Sequence, residues 1–227
     1  MKKEEARTAE LFDLTHSIAG GFLADYTYPW EALPSIRDFI LKTGPELPEA
    51  EWDHPQENVW IHKSVTFLNP ATVTIQGPAI ICAGAQIRPG AFIRTDVVIG
   101  ERSVVGNSCE YKNCILFDDV ETPHFNYIGD SILGWHAHTG CQALTSNVRS
   151  DKKPVRIAFE DGTVETGLRK FGAILGDRAE VGCSAVLNPG TILGKGAVVQ
   201  PLSSVRRPVS ARHIHKQSGA VAAMEER

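Results

Sequence analysis

After residue 60 the chain keeps a six-residue beat. Starting at Ile75, an aliphatic or near-aliphatic side chain returns at Ile81, Ile87, Ile93, Ile99, Val105, Tyr111 and Phe117. The beat resumes at Leu133 and Thr139, and again at Leu175, Val181, Leu187, Leu193, Val199 and Val205. Four residues after most of these stands a small or β-branched residue, such as Ala79, Ala85, Ala91, Ala179, Ala185 or Ala197. Gly often follows the beat directly, as at Gly100, Gly106, Gly134, Gly176 and Gly194. A helix needs a period near 3.6 and a lone amphipathic strand a period of 2, so neither explains a strict six. Short strands joined by tight corners do, with the large residue pointing inward and the small one filling the corner. The pattern predicts an all-β fold, a left-handed parallel β-helix of hexapeptide repeats, with a short helical segment before it.

A repeat coil makes one elongated domain the natural use of 227 residues. The net charge of −4 advertises no basic face for nucleic acid. MKKEEARTAELF carries charges but no apolar core for a signal peptide, and no later run approaches a membrane span. The expectation is a soluble cytoplasmic protein with neither nucleic-acid nor membrane partners. Its cysteines, Cys82, Cys109, Cys114, Cys141 and Cys183, are odd in number and form no CxxC pair. Buried, reduced thiols are expected of them.

Residues 1–58 read as a helical segment and linker. TAELFDLTHSIAGGFL has helical apolar spacing at Leu11, Leu14, Ile18 and Phe22, and WEALPSIRDFILKTG reads as a second helix ending at Gly44. Pro34 should start or kink that helix rather than sit inside it. The two helices are expected to pack on one end of the coil, with an acidic, Pro-containing linker from Pro45 to Asn58. Residues 59–216 form the coil and 217–227 a tail.

Two stretches interrupt the beat. FDDVETPHFNYIGDS ends in a five-residue step from Ile128 to Leu133. The second, at about 147–171, leaves the coil, and within it VRIAF and TVETG alternate around Asp161-Gly162, a hairpin signal. Segments thrown out of a rigid scaffold commonly carry binding residues. Around both gather Arg88, Lys112, Lys152 and Lys153, cations suited to phosphate oxygens. His124 precedes Tyr127, placing a group that titrates near neutrality beside a phenol. Asn147 adds an amide donor and acceptor. Singly, each is most simply a solvated surface residue; their gathering at the breaks is what points to a site.

IRPG, VGNSCEYK, HFNYIGDSILG, TSN and VGCSAVLNPGTILGKGAVV resemble a known family. It is the acetyltransferase half of bacterial N-acetylglucosamine-1-phosphate uridyltransferase/glucosamine-1-phosphate acetyltransferase, with its archaeal sugar-1-phosphate relatives. The likeness covers roughly residues 59–216. The 58 residues before it hold no Gly-rich phosphate loop, so they are not expected to supply the nucleotidyltransferase domain of those bifunctional enzymes. The resemblance implies that Arg88, Lys112, Tyr127 and Lys153 hold a sugar phosphate. It implies that His124 is the general base and that Asn147 orients the acceptor. Cys183, Pro201 and Lys216 fall where the family contacts acetyl-CoA. The chain departs from the pattern at His138, in the place of a substrate-contacting Asn, at Cys183, where Ser is common, and in the longer excursion.

The implied reaction is direct acyl transfer from acetyl-CoA to an amino-sugar phosphate, with no metal and no covalent enzyme intermediate, in a homotrimer with sites between subunits. Two other readings stand beside it. One is a trimeric β-helix that binds a sugar phosphate or nucleotide sugar without turnover. The other is a zinc enzyme of the carbonic anhydrase type, for which His124, His136 and His138 lie close in sequence but at the wrong spacing.

Overall fold

The computed structural model describes residues 1–224. In it the beat becomes a three-sided parallel coil, each side contributing one inward column. The first face stacks Ile61, Ile81, Ile99, Leu116, Leu133, Leu175 and Leu193 in direct register. The second runs from Phe67 through Ile87, Val105, Thr122, Thr139, Val181 and Val199 to His215. The third runs from Ile75 through Ile93, Tyr111, Ile128, Thr145 and Leu187 to Val205. The expected β-helix is therefore the fold, and its core is a stack of aliphatic layers.

The first expected interruption is a regular turn of the coil. Glu121–His124 pairs in parallel with Val104–Asn107, and Tyr127–Leu133 with Glu110–Leu116. The aliphatic beat fades there because the inward residue is Thr122, whose hydroxyl meets that of Tyr111 inside the coil. Two buried polar groups satisfy one another, which a search for aliphatics overlooks. The corner between the third and first faces is also one residue shorter on two successive turns. Leu116, rather than Phe117, is thus the inward residue, and Phe117 lies outside the coil with its ring 4.9 Å from that of Phe12.

The second excursion leaves the coil as expected. Arg156–Phe159 pairs antiparallel with Gly162–Glu165, and the chain rejoins the first face at Ala173–Leu175.

The N-terminal segment differs from its reading in two ways. Its first helix is broken into Thr8–Leu11 and Gly20–Ala24, with a 3-10 turn at Leu14–His16 between them. A side chain at Gly20 would meet the Leu14 carbonyl oxygen at 2.0 Å, so this close approach requires glycine. Pro34 lies in a 3-10 stretch, Pro29–Ser35, which leads into the helix Ile36–Thr43. The expected linker carries a strand, Trp52–Gln56, antiparallel to Val59–His62.

Nor does the segment sit on one end of the coil. It lies along the first face, its main chain bonded to Asp118 and Asp177 and its helix Ile36–Thr43 set against Val97–Ile99 and Glu110–Leu116. Beneath it is a second apolar row, Ile80, Val98, Ile115, Ile132, Ile174 and Ile192, every member fully buried. In the tail, Val221–Ala223 adds an antiparallel strand to His213–His215, and residues 225–227 lie outside the described residues.

Among the described residues no helix is long and apolar enough to cross a membrane. Cys82, Cys109 and Cys114 are buried and burial pushes their thiols up, whereas Cys141 is half-buried and Cys183 exposed. The expectation of burial thus fails for Cys183, which sits on an outer corner.

Candidate functional site

The tight corner between the third and first faces needs a residue in the left-handed region, which Asn and Asp tolerate best after glycine. Asp96, Asn113 and Asp130 occupy it on successive turns with φ of 66°, 47° and 49°. Asn147 follows in the same row, where the excursion departs. These four stand at intervals of seventeen residues.

The row gathers a hydrogen-bonded cluster around Asp130, whose side chain is only 4% exposed. Its carboxylate accepts from Asn113 Nδ2 at 3.0 Å, from Lys112 Nζ at 3.2 Å and from Asn147 Nδ2. The Asn147 amide also donates to the Tyr127 hydroxyl at 3.1 Å. Burial, then the Asp130 and Glu110 carboxylates, push the Tyr127 phenol up, so it is a neutral hydroxyl at physiological pH. One turn back, Arg94 pairs with Glu110 at 2.7 Å. A buried carboxylate needs such partners, since an unpaired one would cost several kcal/mol. The third face thus presents cations, a phenol and an amide whose positions the coil fixes.

Of the residues singled out in the sequence, Lys112, Tyr127 and Asn147 are brought together here. Arg88 lies on the second face, its Nε donating to Gln86 at 2.9 Å. His124 closes the strand Glu121–His124 at the end of that face and is exposed. Its backbone N–H donates to the side chain of buried Asn126 at 3.1 Å, and Asn126 in turn donates to the carbonyls of Gly140 and Ala143. The His124 imidazole itself makes no hydrogen bond or ion pair among the described residues. The main chain is thereby pinned, while the ring is held by no such bond. Cys183 and Pro201 follow on the corner beyond the second face, in line with Cys141.

His138 is on the second face as well, with Nδ1 2.8 Å from Glu180 and both side chains at least a third exposed. It shares an open cavity with Asp119, Glu121, His136 and Arg178. Lys153 is exposed in the excursion, its N–H donating to Asp151 at 3.2 Å. Lys216 is exposed in the turn that leads to the last strand. Among the described residues no group of three or more His, Cys, Asp or Glu is placed to hold a metal ion.

Asp130, Asn113, Arg94 and Asn126 were not singled out as site residues. The seventeen-residue recurrence of Asn and Asp was the available signal for the first two. Arg94 and Asn126 needed the register.

A family model described as the GMPPB C-terminal domain matches residues 75–193. A bifunctional GlmU protein of Methanococcus vannielii is 35% identical over 183 residues, covering 79% of this chain and 43% of that protein. A bifunctional sugar-1-phosphate nucleotidylyltransferase/acetyltransferase of Sulfurisphaera tokodaii is 29% identical over 121 residues, covering 53% of this chain and 30% of that one. The chain thus spans less than half the length of these curated relatives. Among solved structures, PerB from Caulobacter crescentus, in complex with CoA and GDP-perosamine, covers 72% of this chain and 56% of its own, at 17% identity and a TM-score of 0.31. That likeness is too distant to carry an argument about chemistry.

Proposed function

The chain belongs to the GMPPB C-terminal domain family, and from that premise we infer that it transfers an acetyl group from acetyl-CoA to the amine of a sugar phosphate. The observation that carries this reading is the cluster on the third face. Lys112, Tyr127, Asp130 and Asn147 are joined by hydrogen bonds, although they come from three turns of the coil. A sugar phosphate brought to this face would exchange Asp130 for phosphate oxygens as part of the Lys112 coordination. Arg94 lies next in the row. The curated relative named as a sugar-1-phosphate nucleotidylyltransferase/acetyltransferase supports the same substrate class.

In the reaction His124 takes a proton from the acceptor ammonium, which frees the nitrogen lone pair. The nitrogen attacks the thioester carbonyl carbon, the C–S bond breaks as the nitrogen gives up its second proton, and that proton goes to the departing sulfur, so the coenzyme leaves as a thiol. Base catalysis of this kind contributes on the order of 10²–10⁴ in rate. Both amide hydrogens of Asn147 are committed to Tyr127 and Asp130. Its carbonyl oxygen is therefore the atom that orients the acceptor, and the developing oxyanion needs a backbone donor. Cys183, Pro201 and Lys216 are assigned to the coenzyme side, Arg88, His138 and Lys153 to the acceptor side. Arg88 and His124 lie on the second face and Lys112 on the third, so a site using all three is completed between copies about a threefold axis. A homotrimer is the assembly this reading proposes.

The test is release of coenzyme thiol from acetyl-CoA with a panel of amino-sugar phosphates, alongside binding of the same sugars. Turnover with at least one of them is expected, and Lys112→Gln should raise KM at least about tenfold, since a charge-assisted contact is lost. Tight sugar-phosphate binding with no turnover on any amine would replace the reading by that of a binding protein.

A further inference from the structure

Beyond Asn147 the same face continues into a second cationic site. The outward residues that follow the inward column of the third face are Arg94, Lys112, Gly129, Ser146, Asn188 and Arg206, one per turn and in register. The middle of this row is low: Gly129 lies under Tyr127, where an added side chain would come within 2.8 Å of the phenol oxygen and two ring carbons. Cations stand at both ends. Lys112 and Arg206 are four turns apart, about 19 Å at the usual strand spacing.

At the far end the excursion lies beside Ser146 and Asn188 and borders an open cavity of about 450 Å³. Arg149, Arg156 and Arg206 line it, with Asp151 as the carboxylate among its lining residues. Arg149 forks onto Asp151 at 2.9 and 2.6 Å, and Arg156 lies 3.7 Å from Glu165. The Arg206 guanidinium makes no hydrogen bond or ion pair among the described residues. Three guanidiniums, two from the excursion and one from the coil, line one polar cavity, and among the described residues one of them has no counter-charge.

We propose that this cavity is a second anion subsite, in which Arg149, Arg156 and Arg206 receive an organic diphosphate. Guanidinium forks match phosphate oxygens pairwise, and arginines on the excursion and on the coil can divide the oxygens of two linked phosphoryl groups among them. The volume exceeds what one phosphoryl group fills. The diphosphate comes either from the coenzyme or from a nucleotide-linked acceptor, and the row joins it to the Lys112 cluster as one groove with two anionic ends. The subsite rests on the cavity and not on acyl transfer, so binding without turnover would overturn the transferase reading and leave this one standing.

The experiment titrates inorganic pyrophosphate into the full chain by calorimetry. Binding is expected, with Arg206→Gln weakening one site at least about tenfold and Arg149→Gln/Arg206→Gln removing it. Unchanged melting temperatures would exclude misfolding, and they are expected because Arg206 is exposed and Arg149 only half-buried. Displacement of pyrophosphate by coenzyme A assigns the subsite to the donor, and displacement by a nucleoside-diphosphate sugar assigns it to the acceptor. Displacement by neither, equal binding by the double variant, or no binding by the wild type would overturn the proposal.

Discussion

The first and third faces of the coil are built from the same repeat and end up with opposite uses. Both point an aliphatic column inward. The first face also has an apolar outer row, Ile80 to Ile192, fully covered by the N-terminal segment. The third has an outer row of Arg, Lys, Gly, Ser and Asn that stays open. Parallel strands buried on both sides read as continuous apolar runs, and the strands AII, VVI and AIL have that character. On the third face each column residue is followed by a polar residue or glycine, although Phe92, Leu144 and Val186 precede three of them. One face is a core on both sides; the other is a core on the inside and a binding surface on the outside.

The sharpest way to break this contrast is a charge in the covered row. Ile132→Asp should destabilise by about 3–5 kcal/mol, because a carboxylate would be buried with no partner. Thermal or urea unfolding measures it. Loss under 1 kcal/mol would mean that the N-terminal segment does not seal that face.

Next comes a change that should touch rate and leave the fold alone. His124→Ala should lower kcat by about 10²–10⁴ with an unaltered melting temperature, since the ring has no bonding partner among the described residues. Sugar-phosphate binding should persist. Equal turnover by wild type and variant would remove His124 from the mechanism.

Inside the third and second columns, Tyr111→Phe should cost about 1–2 kcal/mol, because it strips Thr122 of its partner. Adding Thr122→Val should recover much of that, as both polar groups are then gone. A double variant that simply sums two losses would show that the two hydroxyls do not act as a pair.

The smallest effect is expected where neither covering nor groove is involved. Arg102 forks onto Asp119 at 2.8 and 2.9 Å and, as the first cause, holds that carboxylate below its usual range. The folded pKa lies under the unfolded one, so the pair stabilises above about pH 4 and its contribution is lost as pH falls through the folded value. Half of the Arg102 side chain is exposed, so the contribution stays under about 1 kcal/mol. Melting of Asp119→Asn at pH 7 and pH 3 checks it: the variant should lose less stability than the wild type between the two.

Much of this was legible from the chain. The beat gave the coil, and Asp161-Gly162 gave the hairpin. HFNYIGD, VGNSCEYK and TSN picked out Lys112, Tyr127 and Asn147, which do converge. The rest failed for definite reasons. Thr122 broke an aliphatic pattern because its hydroxyl is satisfied within the core, so a regular turn looked like a loop. The shortened corner moved the inward position from Phe117 to Leu116, a one-residue slip that reverses which side a residue faces. Arg88, in a recognisable RPG motif, remains a candidate on the second face, and the register adds Arg94 beside Lys112 and Glu110 within one chain.

The sequence by itself determined the coil, because a period of six is compatible with little else, and it determined which chemical groups were at hand. Only the tertiary structure decided which of them meet. Residues seventeen and eighteen apart become neighbours when one turn stacks on the next, and the size of each turn depends on corners whose residues carry no beat. Asp130 shows the difference. In the sequence it is one acid among many; in the fold a left-handed corner buries its carboxylate between Asn113 and Asn147, against Lys112, and the candidate site forms around it.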